Sequence, residues 1–230
     1  QHNTGVCYYH GQGCEQSSER AAEWWEKAAR QGNAEAMNSL GCLYRDGEGC
    51  KQSFERAAQW FEQAARRGHA DARVSFGALL FNGQGVPQNL PRALELYKQS
   101  AAQGNTRALK NLGICHELGL GVTQNYQEAR RLYASASTDG VDGLNRLEEK
   151  IRAECPFLGK QVVITGTSRE DLNGRTGTAT SFDHARGRYV VELDGDGETR
   201  KHKLKPEILT QYTGRRGAKK KQAKTKKGAT

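Results

Sequence analysis

The sequence lacks long apolar stretches, since no run approaches the roughly 18 apolar residues that a membrane-spanning helix needs. It also lacks a Cys-x-x-Cys motif, although it contains six cysteines. An even number of cysteines in a chain of 230 residues is weak evidence for disulfides. We therefore expect no membrane span, and the redox state of the thiols stays open.

Acidic residues are missing from the last part of the chain. Residues 214–230 contain eight Lys or Arg, no Asp or Glu, and no apolar side chain larger than alanine. The whole chain carries a net charge of +9, so the preceding part carries only 9 − 8 = +1. Such a composition cannot pack a core, and we predict a disordered basic tail over residues 213–230.

The tail composition is also typical of nuclear-import and nucleic-acid-binding segments. It therefore predicts contact with nucleic acid or with an acidic protein, and together with the lack of paired cysteines it favours a nuclear or cytoplasmic location. The residues predicted to make this contact are Arg215, Arg216, Lys219, Lys220, Lys221, Lys224, Lys226 and Lys227.

What the chain does contain is an internal repeat with a step of 36 residues. A single glycine recurs at positions 5, 41, 77 and 113, and Gly-x-Gly pairs recur at 11/13, 47/49, 83/85 and 119/121. An alanine recurs at 21, 57, 93 and 129, and a bulky pair follows it at 24/25, 60/61, 96/97 and 132/133. Four copies without insertion or deletion indicate a repeat architecture.

Each unit reads as two helices joined by a glycine turn. In the second unit, apolar residues at helical spacing predict a first helix over about residues 34–45 and a second over about 53–67. Gly47 and Gly49 supply the backbone conformations of the turn, and Gly68 ends the second helix. We expect Gly41 to be a point of close helix approach. One helix pair cannot bury its own apolar face, so the units must stack into a solenoid.

These residues resemble the Sel-one-like repeat, a relative of the tetratricopeptide repeat. Its pattern is A-x-x-x-L-G-x-x-Y, then G-x-G-V, then A-x-x-W-x-x-x-A-A-x-x-G. The second unit matches it with the positions Ala36, Leu40, Gly41, Tyr44, Gly47, Gly49, Ala57, Trp60, Ala64, Ala65 and Gly68. The resemblance covers residues 1–140, as four units of which the first is truncated, and implies a protein-binding solenoid.

A second domain follows the repeats. Leu144, Leu147 and Ile151 lie at helical spacing in residues 141–155, which predicts a capping helix. After Pro156 apolar and polar residues alternate. Runs rich in β-branched or aromatic residues lie at 162–166, 176–182 and 188–193, and a further strand is predicted within 198–204. Turn signals fall at 173–174, 184–187 and 194–197.

We predict a small five-stranded β-barrel over residues 156–212, similar to the Tudor and KOW class, and carry over its fold without a ligand. The fold class is thus α+β multidomain: an all-α solenoid, a small all-β barrel and a disordered tail.

Three chemical alternatives are weaker than a packing role. The Gly-x-Gly pairs follow helices and lack the Lys-Ser/Thr that grips nucleotide phosphates. Cys42 and Cys50 occupy slots that hold apolar residues in other units, and zinc needs three or four close ligands. Adjacent Cys115 and His116 on a helix point about 100° apart, so they do not form a nucleophile and its base. We therefore predict no catalytic residue, metal or cofactor.

The predicted function is a non-enzymatic scaffold that holds a protein partner on the concave face formed by the first helices, an assignment that follows from the resemblance. The alternative is a nucleic-acid- or chromatin-associated adaptor in which the barrel and the tail contact RNA or DNA. By analogy with tetratricopeptide repeats, the predicted partner-binding residues are Glu35, Asn38, Arg45, Asp71, Arg107, Lys110 and Glu117.

Overall fold

The structure is a computed structural model, and it describes residues 1–165, 167–183, 187–194 and 201–211. The chain divides into two compact units, Gln1–Arg152 and Ala153–Thr230. Among the described residues, no helix has the length and apolar character needed to cross a membrane.

The first unit consists of helices joined by turns. Its α-helices are α1 (His2–His10), α2 (Ser18–Arg30), α3 (Ala34–Asp46), α4 (Phe54–Arg66), α5 (Ala70–Asn82), α6 (Leu90–Ala101), α7 (Thr106–Leu118), α8 (Tyr126–Ser135) and α9 (Val141–Glu154). Odd-numbered helices up to α7 are the first helices of the four repeats, and α2, α4, α6 and α8 are the second helices.

Local side-chain chemistry sets where the helices begin. Ser53 accepts a hydrogen bond from the backbone N–H of Arg56 at the start of α4, and Asn33 caps α3 in the same way. Such caps satisfy N–H groups that a helix start leaves without a partner. The sequence-predicted boundaries of both helices are confirmed to within one residue, because these caps are encoded locally.

The recurrent single glycines of the first helices lie under aromatic rings of the second helices. A Cβ built on Gly41 would lie only 2.5 Å from ring carbons of Phe61, which is fully buried. The other pairs, each separated by 20 residues, are Gly5 with Trp25, Gly77 with Tyr97 and Gly113 with Tyr133. Gly41 is therefore a close-approach point, as predicted, and its contact is the Phe61 ring.

The Gly-x-Gly turns join one repeat to the one before it. Gly83 and Gly85 both have positive φ, at 69° and 68°. A Cβ on Gly85 would lie 2.3 Å from the backbone carbonyl carbon of Phe54, at the start of α4 in the preceding repeat. Only glycine permits this backbone conformation at this distance, so the turn fixes the stacking of successive units.

A recurrent glutamine completes each turn. Gln52 donates from Nε2 to the carbonyl oxygen of Arg45 at 2.7 Å, close to the end of α3. The same bond joins Gln16 to Tyr9, Gln88 to Phe81 and Gln124 to Glu117, at 2.8–2.9 Å. Carbonyl groups at a helix end lack intrahelical partners, so this side chain satisfies one of them in every unit.

The helix α9 follows a 3-10 turn, Ser137–Gly140, and packs onto the last repeat. Leu147 is fully buried, and a Cβ on Gly143 would lie 2.6 Å from the Tyr133 ring. Gly143 and Gly113 thus contact the same ring from two helices. A helix lies where the sequence predicts the cap, over 141–155.

The described part of the second unit is an antiparallel sheet. Its strands are β1 (Gln161–Ile164), β2 (Thr176–Asp183), β3 (Arg188–Leu193), β4 (Lys201–Leu204) and β5 (Leu209–Gln211), in the order β4-β3-β2-β1-β5. Val162, Ile164, Ala179 and Val191 are fully buried, which matches the alternation in the sequence.

The sheet is not closed into the barrel that the sequence predicts. Strands β4 and β5 form opposite edges, and no pairing joins them in the described residues. The connection from Leu204 to Leu209 can reach about 17 Å, whereas the edges of a flat five-stranded sheet lie about 19 Å apart. The sheet must therefore curl, but its edge strands of four and three residues stay unpaired with each other.

Several sequence predictions lie wholly or partly outside the described residues. These are the turns at 184–187 and 194–197, the start of the strand predicted within 198–204, the last residue of the 156–212 domain, and the basic tail over 213–230.

Candidate partner-binding face

The first helices place three rows of side chains on one surface, at positions related by the 36-residue repeat. The rows are His2, Asn38, Val74 and Lys110; then Val6, Cys42, Ala78 and Ile114; then Tyr9, Arg45, Phe81 and Glu117. All except Val74 and Glu117 are partly exposed. We call the surface formed by these rows the first-helix face.

Charges from three first helices act on one thiol of this face. Burial raises the pKa of Cys42, and the next influences on that pKa are the charges of Arg45, Asp46, Arg107 and Asp71, which lie on α3, α5 and α7. These side chains therefore share an electrostatic environment. The repeat brings together residues that are up to 65 positions apart in the chain, from 42 to 107.

A cavity of about 290 Å³ opens between α1 and α3. We call it the acidic cavity. Its lining residues are His2, Val6, Tyr9, His10, Trp25, Glu35, Asn38, Ser39, Cys42, Leu43, Asp46 and Glu48. The lining includes three carboxylates and four aromatic or imidazole rings, and it includes no lysine or arginine.

The rings of the acidic cavity form a connected wall. The centroids of Tyr9 and Trp25 lie 5.5 Å apart, and His2 stacks on Trp25 at 6.3 Å. Trp25 Nε1 donates a hydrogen bond to the backbone oxygen of His2. The Trp25 ring also packs against Gly5, where a Cβ would clash with it. The helix-packing contact and the cavity wall therefore share one side chain.

The three carboxylates of the cavity have different partners. Glu48 accepts a hydrogen bond from the Tyr9 hydroxyl at 2.7 Å, which raises the pKa of that hydroxyl. Asp46 accepts two hydrogen bonds from Arg45, and these hold the pKa of Asp46 below its ordinary value. Glu35 Oε2 lies 3.1 Å from Nε2 of His69.

A second cavity, of about 160 Å³, opens between α5 and α7. We call it the apolar cavity. It is lined by Ala78, Phe81, Asn82, Tyr97, Asn111, Ile114 and Cys115. Each lining residue is 72 positions after a residue that lines the acidic cavity, so the two cavities occupy equivalent places two repeats apart. Their chemistry differs, because the apolar cavity has no charged lining residue.

The predicted residues toward α7 are partly engaged with one another. Asp71 accepts a hydrogen bond from Asn105 at 2.8 Å and lies 3.9 Å from the guanidinium of the exposed Arg107. Lys110 is partly exposed beside them. The Asp71–Arg107 contact links the starts of two successive first helices.

Glu117 is not on the open surface where the sequence predicts it. Its side chain is 3% exposed, accepts a hydrogen bond from the Tyr133 hydroxyl at 2.7 Å and pairs with Arg146 at 2.8 Å. Burial raises its pKa, but hydrogen bonds from Arg146 and Tyr133 outweigh this effect, so the net pKa is lowered. Arg146 belongs to α9, outside the repeat, and covers a position that stays open in earlier units.

No catalytic arrangement stands out on this face. Among the described residues, no group of three or more His, Cys, Asp or Glu is placed to hold a metal ion, and all six cysteines are free. Cys115 is buried, and burial raises its pKa to about 11, far from that of a reactive thiolate. The Gly-x-Gly turns pack against the preceding repeat, which is their structural role.

Sequence reasoning missed much of the acidic cavity. Of its lining, it named Glu35 and Asn38 as binding residues but not Tyr9, Trp25 or Glu48. The signal was present, because Tyr9 is the counterpart of Arg45 one repeat earlier. The tail residues predicted to bind nucleic acid lie outside the described part of the chain.

Comparison with known proteins identifies the repeat. The profile described as "Sel1 repeat" matches four consecutive segments, 1–33, 34–69, 70–105 and 106–141. No curated protein matches the chain.

Two solved structures are similar to this chain at 31% sequence identity. One is a Sel1 repeat protein from Oxalobacter formigenes, with a TM-score of 0.58 over 63% of this chain and 61% of that one. The other is c5321, a protective antigen of uropathogenic Escherichia coli with an SLR fold, with a TM-score of 0.60 over 64% of this chain and 32% of that one. The match thus spans less than two thirds of either relative. Since the profile covers residues 1–141 of 230 and the 36-residue period, glycine turns and helix pairs agree with it, the chain belongs to the Sel1 repeat family.

Proposed function

We propose that this protein is a non-enzymatic scaffold that holds an extended segment of a protein partner on its first-helix face. The observation that carries the proposal is the pair of cavities at equivalent places two repeats apart. A row of repeated sites suits a chain-like ligand, which has its own repeat along the backbone. Sel1 repeat proteins are, in general, protein-interaction scaffolds.

The chemistry of the face supports selectivity as well as contact. Its α1–α3 end has carboxylates and rings, and its α5–α7 end has the apolar cavity, with Arg107 and Lys110 near the start of α7. Differences of charge along a binding surface set the orientation of a partner and reject unsuitable ones. A partner is therefore expected to carry charges in a matching order.

Site-specific photo-cross-linking tests this proposal. A photoreactive amino acid at Ala78 or Ile114 on the first-helix face should give a discrete adduct in an extract of the source cells. Matched controls carry it at Gln59 or Glu95, which are exposed on second helices. Adducts of equal yield from both sets of positions, or from neither, would contradict the proposal.

A second candidate function is favoured by one observation, the eight Lys or Arg without an acidic residue in 214–230. In this candidate the tail contacts RNA or DNA while the repeats recruit a protein. If all eight charges engage phosphates, the slope of log affinity against log salt approaches about −7. Gel-shift assays of the full chain and of a chain without 214–230, at two salt concentrations, measure this, and no shift at low salt would remove the candidate.

A further inference from the structure

The acidic cavity presents carboxylate oxygens that can only accept hydrogen bonds when they are ionised. Asn38 Oδ1 and His2 Nδ1 are buried atoms with no hydrogen-bond partner among the described residues. Glu35 and Glu48 add carboxylate oxygens at the exposed rim. N–H donors on a ligand would therefore find acceptors in these two carboxylates.

The net charge of the cavity also favours a ligand that brings N–H donors, in particular a cationic one. Arg45 lies next to it, but its guanidinium is held by both oxygens of Asp46 at 2.7–2.8 Å. Glu35 and Glu48 then leave an excess of negative charge, because their nearest partners are the His69 imidazole and the Tyr9 hydroxyl. A cationic ligand group is electrostatically complementary to this lining.

The rings add a geometric preference. Tyr9 and Trp25 stand 5.5 Å apart at 44°, and His2 continues the same wall. Aromatic faces attract cations, and the planar guanidinium both stacks on rings and offers five N–H donors. The lysine ammonium has three donors and is more strongly hydrated.

From these observations we propose that the acidic cavity receives the guanidinium of an arginine on the partner segment. This inference rests on the proposed function and specifies the partner chemistry at the α1–α3 end of the face. The apolar cavity then takes an apolar side chain of the same segment. Successive units advance by roughly 10 Å, so the two cavities lie about 20 Å apart, which an extended peptide spans in about six residues.

NMR spectroscopy of the full chain, which resolves the indole N–H signal of each tryptophan, can test this directly. The chain has three tryptophans, Trp24, Trp25 and Trp60, and only Trp25 lines the cavity, so the other two indole N–H signals are internal controls. The probes are Gly/Ser-based peptides with an arginine and a leucine about six residues apart, in both orders. We expect the Trp25 signal to move on titration and the signals of Trp24 and Trp60 to stay.

Matched peptides and variants separate charge from simple contact. Citrulline in place of arginine should weaken binding at least about fivefold, as should the double variant Glu35→Gln/Glu48→Gln. The control variant Glu23→Gln/Glu95→Gln removes the same charge from exposed positions of second helices and should bind as the unmodified chain does. Equal affinity for the citrulline peptide would overturn the inference, and equal affinity for a lysine peptide would overturn the choice of guanidinium.

Three further outcomes are informative. If Arg215→Gln/Arg216→Gln moves the Trp25 signal of the full chain without peptide, the occupant is the chain's own tail, which overturns assignment to a partner. If Ala78 and Ile114 give their cross-links but no arginine peptide moves Trp25, the proposed function stands and this inference fails. Movement of Trp25 without those cross-links would instead support the arginine site and remove the wider docking role.

Discussion

Replacing Gly41 by alanine should destabilise the solenoid, although the same change normally stabilises a helix. Alanine is favoured over glycine within a helix by about 1 kcal/mol. Here, however, the new Cβ would lie 2.5 Å from Cδ1 and Cε1 of Phe61, about 1 Å inside ordinary contact. Phe61 is fully buried within the core cluster of the solenoid.

The expected magnitude follows from these two opposing terms. Overpacking a well-filled core costs about 1–3 kcal/mol, which exceeds the gain in helix propensity. We expect Gly41→Ala to lower the free energy of unfolding by about 1 kcal/mol. In a Phe61→Leu background the ring is gone, so the alanine should become stabilising by up to about 1 kcal/mol.

The change of sign gives a coupling energy of about 2 kcal/mol in a double-mutant cycle. Urea unfolding followed by tryptophan fluorescence reports on the solenoid alone, since all three tryptophans lie in α2 and α4. Gln59→Gly and Gln59→Ala, at an exposed site of α4, measure the propensity difference without a clash. A Gly41→Ala chain at least as stable as the unmodified one would refute the argument.

Three further predictions concern the joints of the solenoid. Gly85→Ala should cost about 2 kcal/mol or more, because φ is +68° and the new Cβ would meet the Phe54 backbone at 2.3 Å; an unchanged urea midpoint would contradict this. Asn105→Ala should cost about 1–2 kcal/mol, since it removes both a helix cap and the hydrogen bond to Asp71, while Asn105→Ser should recover part of the loss in thermal melts. Glu117→Gln should cost about 1–2 kcal/mol at neutral pH by weakening two hydrogen bonds to a buried carboxylate. Because the pKa of Glu117 is lowered, its stabilising effect is present above its ordinary value near 4.5 and disappears as the pH falls through the folded-state pKa. The difference in melting temperature between the two chains should therefore shrink below about pH 4.5, and a constant difference would contradict the assignment.

The sequence by itself determined the repeat, its helix pairs and its turns. Gly41, Gly47 and Gly49 recur in four units, and each answers a local requirement: close helix contact for the first and left-handed backbone for the other two. Caps such as Ser53 act within three residues of their own position. Because these constraints are local and repeated, periodicity alone was enough to find them.

The tertiary structure decided the chemistry of the face and the form of the sheet. Glu117 occupies the same repeat position as Tyr9 and Arg45, yet only Glu117 is buried, because Arg146 from α9 reaches it from outside the repeat. The acidic cavity depends likewise on residues of α1 and α3 that meet only when the units stack. In the second unit, alternation of apolar residues predicts strands but does not encode whether β4 and β5 pair, and no pairing joins them within the residues that the structure describes. Periodicity specifies which face of a helix or strand is buried. The exposure and the electrostatic surroundings of a single side chain depend instead on the neighbours that the tertiary fold places beside it.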